Sequence, residues 1–381
     1  MRFIDKPEDF AEVSAKILSA DWAAVDTEAD SLHHYVEKLC LIQISVPGED
    51  YVIDPLAPLK LADFFRALSS RELIFHAADS DIRLIKKAAR FSPKRIFDTM
   101  LAAQVLGYEK IGLQNLAERH CGVQLSKTEQ KADWSERPLD EKLVRYAAND
   151  THYLRTISEA MKEELAKLGR LEWHRQQCEK LLETLESLKP SENDPAVAWQ
   201  IKGAKALSGK ALTILKELWF WRDGLARKKD RPAFKVLNSE YLLEIAKWAA
   251  EHPHTDIGQW KNAPRNVQRE HRDALNALLE RADRLPQAVL ESAPSATKRG
   301  GFGGKKRWTD RESRILGELK AVRDKHAAEL KIHPSLIATN AVLETLASEK
   351  PRHASAFKSV GLLPWQIDIA GEDLLKKLSI P

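Results

Sequence analysis

Residues 22–29 read Trp22-Ala23-Ala24-Val25-Asp26-Thr27-Glu28-Ala29. A short apolar run climbs into two carboxylates spaced i, i+2. If the run is a β-strand its side chains alternate, so Asp26 and Glu28 point to the same side. Two carboxylates side by side repel one another at neutral pH unless a proton or a cation sits between them. The pattern suggests a hard divalent cation bound by oxygen ligands. It also fits a solvated strand end, because with 56 Asp and Glu in 381 residues acidic-x-acidic triplets arise by chance. The question is whether the rest of the chain supplies further ligands.

Outward from this stretch, residues 7–19 carry Phe10, Val13, Ile17 and Leu18 at helical spacing. Apolar runs at 38–46 and 51–55 follow as strands, separated by the turn signal Pro47-Gly48-Glu49-Asp50. A helix over 59–68 leads to a strand over 72–77 and a helix over 80–89. A short strand at 94–97 then ends at Asp98-Thr99, a natural N-cap for a helix running to Leu106. Strands first, then strands alternating with helices, predict a mixed α/β sheet.

From Gly112 the chain reads as helical. Residues 112–121 form a short helix, and 122–134 a polar loop carrying Lys127, Lys131 and Trp134. Pro138-Leu139-Asp140 opens one long helix through Tyr146, Asp150 and Leu154. Strand signals largely stop after the breaker cluster at 189–195. Helical pieces follow to Pro286, then a Gly-rich linker over 292–307 with five positive charges in its last ten residues, then helical signals from 311 to 379. The expected architecture is an α/β domain followed by two small all-α domains.

Composition bounds the function. Hydrophobic content of 43% and charged content of 30% describe a soluble globular protein. No basic region followed by an apolar stretch opens the chain, so no secretory signal is expected. The longest strongly apolar run, 39–46, is far too short to span a bilayer. Three scattered cysteines without a CxxC argue against a disulfide framework or zinc site and predict a reducing, cytoplasmic setting. Residues 1–200 carry 27 Lys and Arg against 34 Asp and Glu, and residues 201–381 carry 33 against 22. The acidic front (−7) suits cation binding and the basic back (+11) suits a polyanion.

Further ligands lie in the right region. His76-Ala77-Ala78-Asp79-Ser80-Asp81 places two carboxylates in the first turn of a helix, where acids also offset the macrodipole without any metal. Periodicity leaves Asp79 and Asp81 as rivals. Tyr146-Ala147-Ala148-Asn149-Asp150 sets a phenol and a carboxylate at i, i+4 on one helix face, with alanines between that permit close approach. A two-metal phosphodiester site wants about four carboxylates around cations roughly 4 Å apart.

In this order the segments resemble the exonuclease motifs of the DEDD superfamily in its Tyr-bearing branch: Asp26-x-Glu28, His76-Ala77-x-x-x-Asp81 and Tyr146-x-x-x-Asp150. The other branch carries His five residues before the last Asp, where this chain has Arg145. Cys40-Leu41-Ile42-Gln43-Ile44, Phe97-Asp98-Thr99 and the run from Lys127-Thr128-Glu129 through Asp133-Trp134-Ser135-Glu136-Arg137-Pro138-Leu139 narrow the resemblance to the ribonuclease D family. Behind them, Leu218-x-x-Trp221-Arg222-Asp223, Asp230-Arg231-Pro232 and Leu242-x-x-Ile245-Ala246 resemble a helicase-and-RNase-D C-terminal (HRDC) domain. A weaker copy follows around Leu319, Val322-Arg323, Pro334 and Ile337-Ala338. It lacks the Arg-Pro pair, so its expected role is chiefly packing.

The resemblance implies a ribonuclease H-like domain over 1–192, a first HRDC domain over 203–288, a basic linker over 289–307 and a divergent second HRDC domain over 308–381. It implies 3′→5′ hydrolysis of RNA with a free 3′ end, precursor tRNA expected, releasing nucleoside 5′-monophosphates. Asp26, Glu28, Asp81 and Asp150 would hold two Mg²⁺ or Mn²⁺ ions, the spacing from His76 selecting Asp81 over Asp79. Tyr146 would orient the attacking water. Lys127, the backbone near Glu28 and the loop to Trp134 are candidates for gripping the terminal nucleotides. No obligate protein partner and no membrane is expected. The alternatives are a DNA 3′→5′ exonuclease of proofreading or repair type, and a non-catalytic RNA-binding protein.

Overall fold

Six strands form one mixed sheet in a computed structural model that describes residues 1–126, 128–187, 195–290 and 308–379. They are β1 (Arg2–Ile4), β2 (Trp22–Ala29), β3 (Leu39–Val46), β4 (Glu49–Ile53), β5 (Glu72–Phe75) and β6 (Arg95–Asp98), in the order β1-β4-β3-β2-β5-β6. β2, β3 and β4 pair antiparallel, while β1 with β4, β2 with β5 and β5 with β6 pair parallel. β2 is thus an inner strand, with the acidic pair near its C-terminal end. β1 was not anticipated from the sequence; three residues are too few to show a period of two.

The helices of this part are α1 (Pro7–Ser19), α2 (Leu61–Leu68), α3 (Asp79–Ala88), α4 (Thr99–Leu106), α5 (Leu113–Cys121), α6 (Glu141–His152), α7 (Leu154–Lys167) and α8 (Leu171–Ser187). Alternation along the strands divides the core. Ala23, Val25, Ile42, Ile44, Leu73 and Phe75 face α1, α2 and α3, joining Phe10, Val13, Phe65, Ile82 and Ile85. Leu41 and Val52 face the other way and pack with Val144, Ala147 and Ala148 of α6. Every residue of β3 is buried because both faces are covered. Each fully buried Leu, Ile or Phe contributes about 1.5–3 kcal/mol relative to exposure.

The structure corrects two expectations here. The long helix through Leu154 is two helices, α6 and α7, meeting at Tyr153. The chain turns there because α6 covers β3 and β4, whereas Leu154 packs on Ala24 and Ile74 and α7 packs on α4 and β5. The loop of 122–134 is not polar throughout: Trp134 is 1% exposed, wedged among Cys40, Leu41, Val52, Val144 and Ala147.

Among the described residues, one compact unit holds residues 1–30, 38–187 and 308–379, and a second holds 31–37 and 195–290. In the first, helices Asp310–Leu330, Asn340–Glu349 and Pro364–Leu378 enclose Leu319, Ile337, Leu343, Leu346, Phe357 and Leu374. Trp365, 2% exposed, stacks on Trp173 of α8 with ring centroids 4.5 Å apart and planes 14° from parallel. Its backbone N–H donates to Gln176 Oε1 at 3.1 Å, and Arg170 donates to the carbonyls of Val105 and Leu330 at 2.9 and 2.8 Å. The C-terminal helices therefore pack on the α4–α8 side of the sheet domain.

In the second unit, helices Gly209–Lys228, Ser239–Glu251 and Arg272–Asp283 surround Leu215, Leu218, Leu242, Ile245, Val267 and Leu275. Arg222 is buried and donates to Leu237 O and Ser239 Oγ, both at 3.2 Å, so it braces the turn into the second helix. Tyr35 Oη donates to Asp223 Oδ1 at 2.7 Å, and the Tyr35 backbone N–H donates to Asp230 Oδ1 at 3.2 Å. No described helix is long and apolar enough to cross a membrane.

Candidate active site

β2 pairs with β5 only through Trp22–Ala24, so residues 26–29 run on past the end of β5 and leave that edge open. The turn from β5 into α3 fills the gap. Asp98, 1% exposed, accepts from the backbone N–H groups of Ala77 and Ala78 at 3.2 and 2.8 Å. The same carboxylate caps α4 through Met100 and Leu101 at 2.8 and 3.1 Å. It holds Ala77 at φ 63°, a left-handed conformation that non-glycine residues seldom adopt. That bend starts α3 at Asp79.

Two residues apart in the first turn of α3, the two rival acids point to opposite sides of the helix. Asp81 is 5% exposed and accepts a hydrogen bond from Thr27 Oγ1 at 2.6 Å. Asp79 is exposed and forms a bidentate pair with Arg83 at 2.8 and 2.9 Å. Asp81 therefore lies against the acidic strand, and Asp79 faces solvent.

From the opposite face, α6 delivers Asp150. Asp26, Glu28 and Asp150 each place a carboxylate oxygen within 4.8 Å of the others. Burial and mutual repulsion push their protons on. Burial raises Asp26 well above the usual carboxylate range, and Asp81, Asp150 and Glu28 raise it further. Glu28 is pushed up to about 8 by burial and then by Asp150 and Asp81. Asp150 reaches about 7 by burial and the Asp81 charge. Asp81 also reaches about 7 by burial, against the opposing hydrogen bond from Thr27. An all-oxygen donor set under this strain fits a hard divalent cation, which would relieve the repulsion.

Tyr146 sits one turn before Asp150 on α6, and burial followed by the charges of Asp150, Glu28 and Asp26 raises its phenol above its ordinary value. Trp134 packs beside it, ring centroids 6.1 Å apart. The loop bearing Trp134 is pinned by Arg137, whose Nε and Nη2 donate to Asp54 at 2.6 and 2.7 Å. Arg137 also donates to Cys40 O at 2.9 Å and Trp134 O at 2.8 Å. Trp134 thus supports Tyr146 from within the core and is not placed to grip a nucleotide. A cleft of about 480 Å³ is lined by Asp26, Glu28, His76, Lys131, Tyr146 and Asp150. His76 Nδ1 pairs with Thr99 Oγ1 at 2.9 Å, and burial lowers its pKa against the opposing charge of Asp98. Lys127 lies outside the described residues.

Reading the sequence missed three supports of this site. Thr27 lay inside the quoted strand, and only its partner gives it meaning. Asp98 was recognised as a helix cap without its second duty at Ala77. The Arg137–Asp54 pair spans 83 positions and leaves no local signal.

Residues 1–166 match the 3′-5′ exonuclease family, and residues 211–252 and 312–378 match the HRDC domain. Fold and site together define a 3′-5′ exonuclease carrying HRDC domains. The ribonuclease D of Sphingobium indicum is 31% identical over 357 residues, spanning 91% of this chain and 87% of its own. That of Nitrobacter hamburgensis is 28% identical over 381 residues, spanning 98% and 94%. The chain belongs to the ribonuclease D family and is a 3′→5′ exoribonuclease. Its fold is similar to that of Escherichia coli RNase D, with TM-score 0.70 over 99% of this chain and 98% of that one at 23% identity. The catalytic core of RRP6 from Trypanosoma brucei is similar at TM-score 0.57 over 74% and 79%, with 27% identity. The group is metal-dependent, and the carboxylate cluster fits a metal ion.

Proposed function

We propose that this enzyme shortens RNA from the 3′ end one nucleoside 5′-monophosphate at a time, with precursor tRNA among its substrates. Its site is Asp26, Glu28, Asp81 and Asp150, with Tyr146 beside them. The observation that carries the reading is the convergence of Asp26, Glu28 and Asp150 from β2 and α6 on one cleft, with Asp81 of α3 outside that trio but bonded to Thr27 between the two strand acids, and the pKa of all four raised. Together they would hold two Mg²⁺ or Mn²⁺ ions. Bound there, such cations supply water activation and neutralise charge at phosphorus and the leaving 3′ oxygen.

The chain's own groups do the positioning. β2 holds Asp26 and Glu28 two residues apart on one face, and Thr27 donates to Asp81 from the other. Tyr146, one turn before Asp150 and on the cleft wall, orients the attacking water. Lys131, on the cleft wall, offers a cation to a substrate phosphate. The HRDC part would hold the RNA body: Phe220 and Phe234 are exposed, with exposed Lys228, Arg231 and Lys235 near them in the chain. Aromatic faces beside cations suit stacked bases and phosphates.

A 5′-labelled, 3′-extended tRNA incubated with Mn²⁺ should shorten stepwise and release 5′-mononucleotides, and chelator should stop it. Asp26→Asn and Asp150→Asn should bind RNA yet lose turnover by orders of magnitude. Internal fragments, or turnover retained in both variants, would overturn the reading.

A further inference from the structure

Gln43 stands directly opposite Asp26 in the antiparallel β2–β3 ladder. Opposed residues share a face, with Cβ atoms about 4.5–5.5 Å apart, so Gln43 lies beside Asp26 on the side that α6 covers. The neighbouring pairs on that face show how the position is used. Leu41, opposite Glu28, packs with Val144 and Ala147 of α6. Ser45, opposite Ala24, donates to Thr151 Oγ1 of α6 at 2.8 Å. One is an apolar contact and the other a satisfied hydroxyl.

Gln43 is neither. It is 0% exposed, and neither Oε1 nor Nε2 has a hydrogen-bond partner. A buried amide left without partners is destabilising, and an aliphatic side chain would fill the place without that cost. The amide offers two donors and one two-lone-pair acceptor beside a crowded carboxylate. Its missing partner is one that arrives with a ligand, and the ligand this donor set suits is a hydrated cation.

We propose that Gln43 is a positioning residue of the cation site, its amide holding the hydration water of a divalent cation beside Asp26 beneath α6. The inference rests on the reading of the carboxylates as a cation site. It predicts two effects of opposite sign for Gln43→Met, which keeps length and removes the amide. Without metal the variant should melt at or above the wild-type temperature, because an unpartnered amide has gone. Its Mn²⁺ affinity should fall about tenfold or more, the usual effect of removing a group that supports metal ligands.

The test uses the full chain without RNA: Mn²⁺ titration by calorimetry, and thermal unfolding in chelator and in Mn²⁺, for wild type, Gln43→Met, Gln43→Leu and Asp26→Asn. Weakened Mn²⁺ binding with undiminished metal-free stability in either Gln43 variant supports the proposal. An unchanged Mn²⁺ Kd overturns it, as does a loss of metal-free stability or of folding in both variants, since the amide is then satisfied within the protein. Asp26→Asn separates the two readings. If it binds Mn²⁺ like wild type, the cation site itself fails; if it loses binding while Gln43→Met keeps it, only the role of Gln43 fails.

Discussion

Thr27→Val is the sharpest probe of how the site is assembled, because valine keeps the shape of threonine and removes only the donor. Thr27 Oγ1 lies 2.6 Å from Asp81 Oδ1, a short bond to a carboxylate that is 5% exposed. Hydrogen bonds to charged groups contribute about 1.5–3 kcal/mol, which corresponds to about ten- to 150-fold in rate if the ionised, oriented Asp81 is needed for turnover. The sign follows from the pKa. Burial lifts Asp81 to about 7 and the Thr27 donor opposes the rise, so removing the donor lifts it further. Asp81 then gives up its proton to a cation less readily at neutral pH, so the Mn²⁺ concentration that gives half the maximal rate rises, most at the acid end of the range. The assay is single-turnover release of the 3′-terminal nucleotide from a labelled RNA oligomer between pH 6 and 9 in Mn²⁺. Asp79→Asn is the control: its exposed pair with Arg83 is worth about 0–1 kcal/mol, and its rate should stay within about twofold of wild type. A Thr27→Val enzyme as fast as wild type across the range, or a crippled Asp79→Asn, would refute the assignment of Asp81.

Trp365→Ala should destabilise the protein by about 3–5 kcal/mol, read from denaturant unfolding, because it empties the seam against Trp173; a loss below about 1 kcal/mol would mean that the seam contributes little. The raised carboxyl pKa values predict a pH dependence of metal-free stability. The folded cluster binds protons more tightly than an unfolded chain with carboxyls near about 4, so its contribution is complete below that range and is lost as pH climbs toward about 8. In chelator the melting temperature should therefore drop from pH 5 to 8 and recover with Mn²⁺; a flat profile would show that the carboxyls are not crowded. Phe234→Ala should weaken binding of structured RNA by about 1–3 kcal/mol and leave cleavage of short oligomers unchanged, whereas unaltered RNA affinity would remove Phe234 from the RNA-holding surface.

What the sequence determined by itself is whatever repeats within a pleat or a helical turn. Alternation along Trp22–Ala29 sets Asp26 and Glu28 on one face, and the i, i+4 spacing stacks Tyr146 above Asp150. Asp98 was legible as a cap because its donors, Met100 and Leu101, follow it directly. The tertiary structure alone decided the rest. The resemblance already selected Asp81 over Asp79 by its spacing from His76, but periodicity left the two acids as rivals, and the physical difference between them comes from Thr27, 54 positions away, and from the Arg83 pair that occupies Asp79. Trp134 sits in a stretch of polar residues, yet the clamp from Arg137 to Asp54 carries it into the core beneath Tyr146. Gln43 lies in the Cys40–Ile44 segment that carries the family resemblance, but only the register shows that it stands opposite Asp26. Periodicity tells which way a side chain points along its own element; what it meets there, and whether water reaches it, depends on elements that only the folded chain brings together.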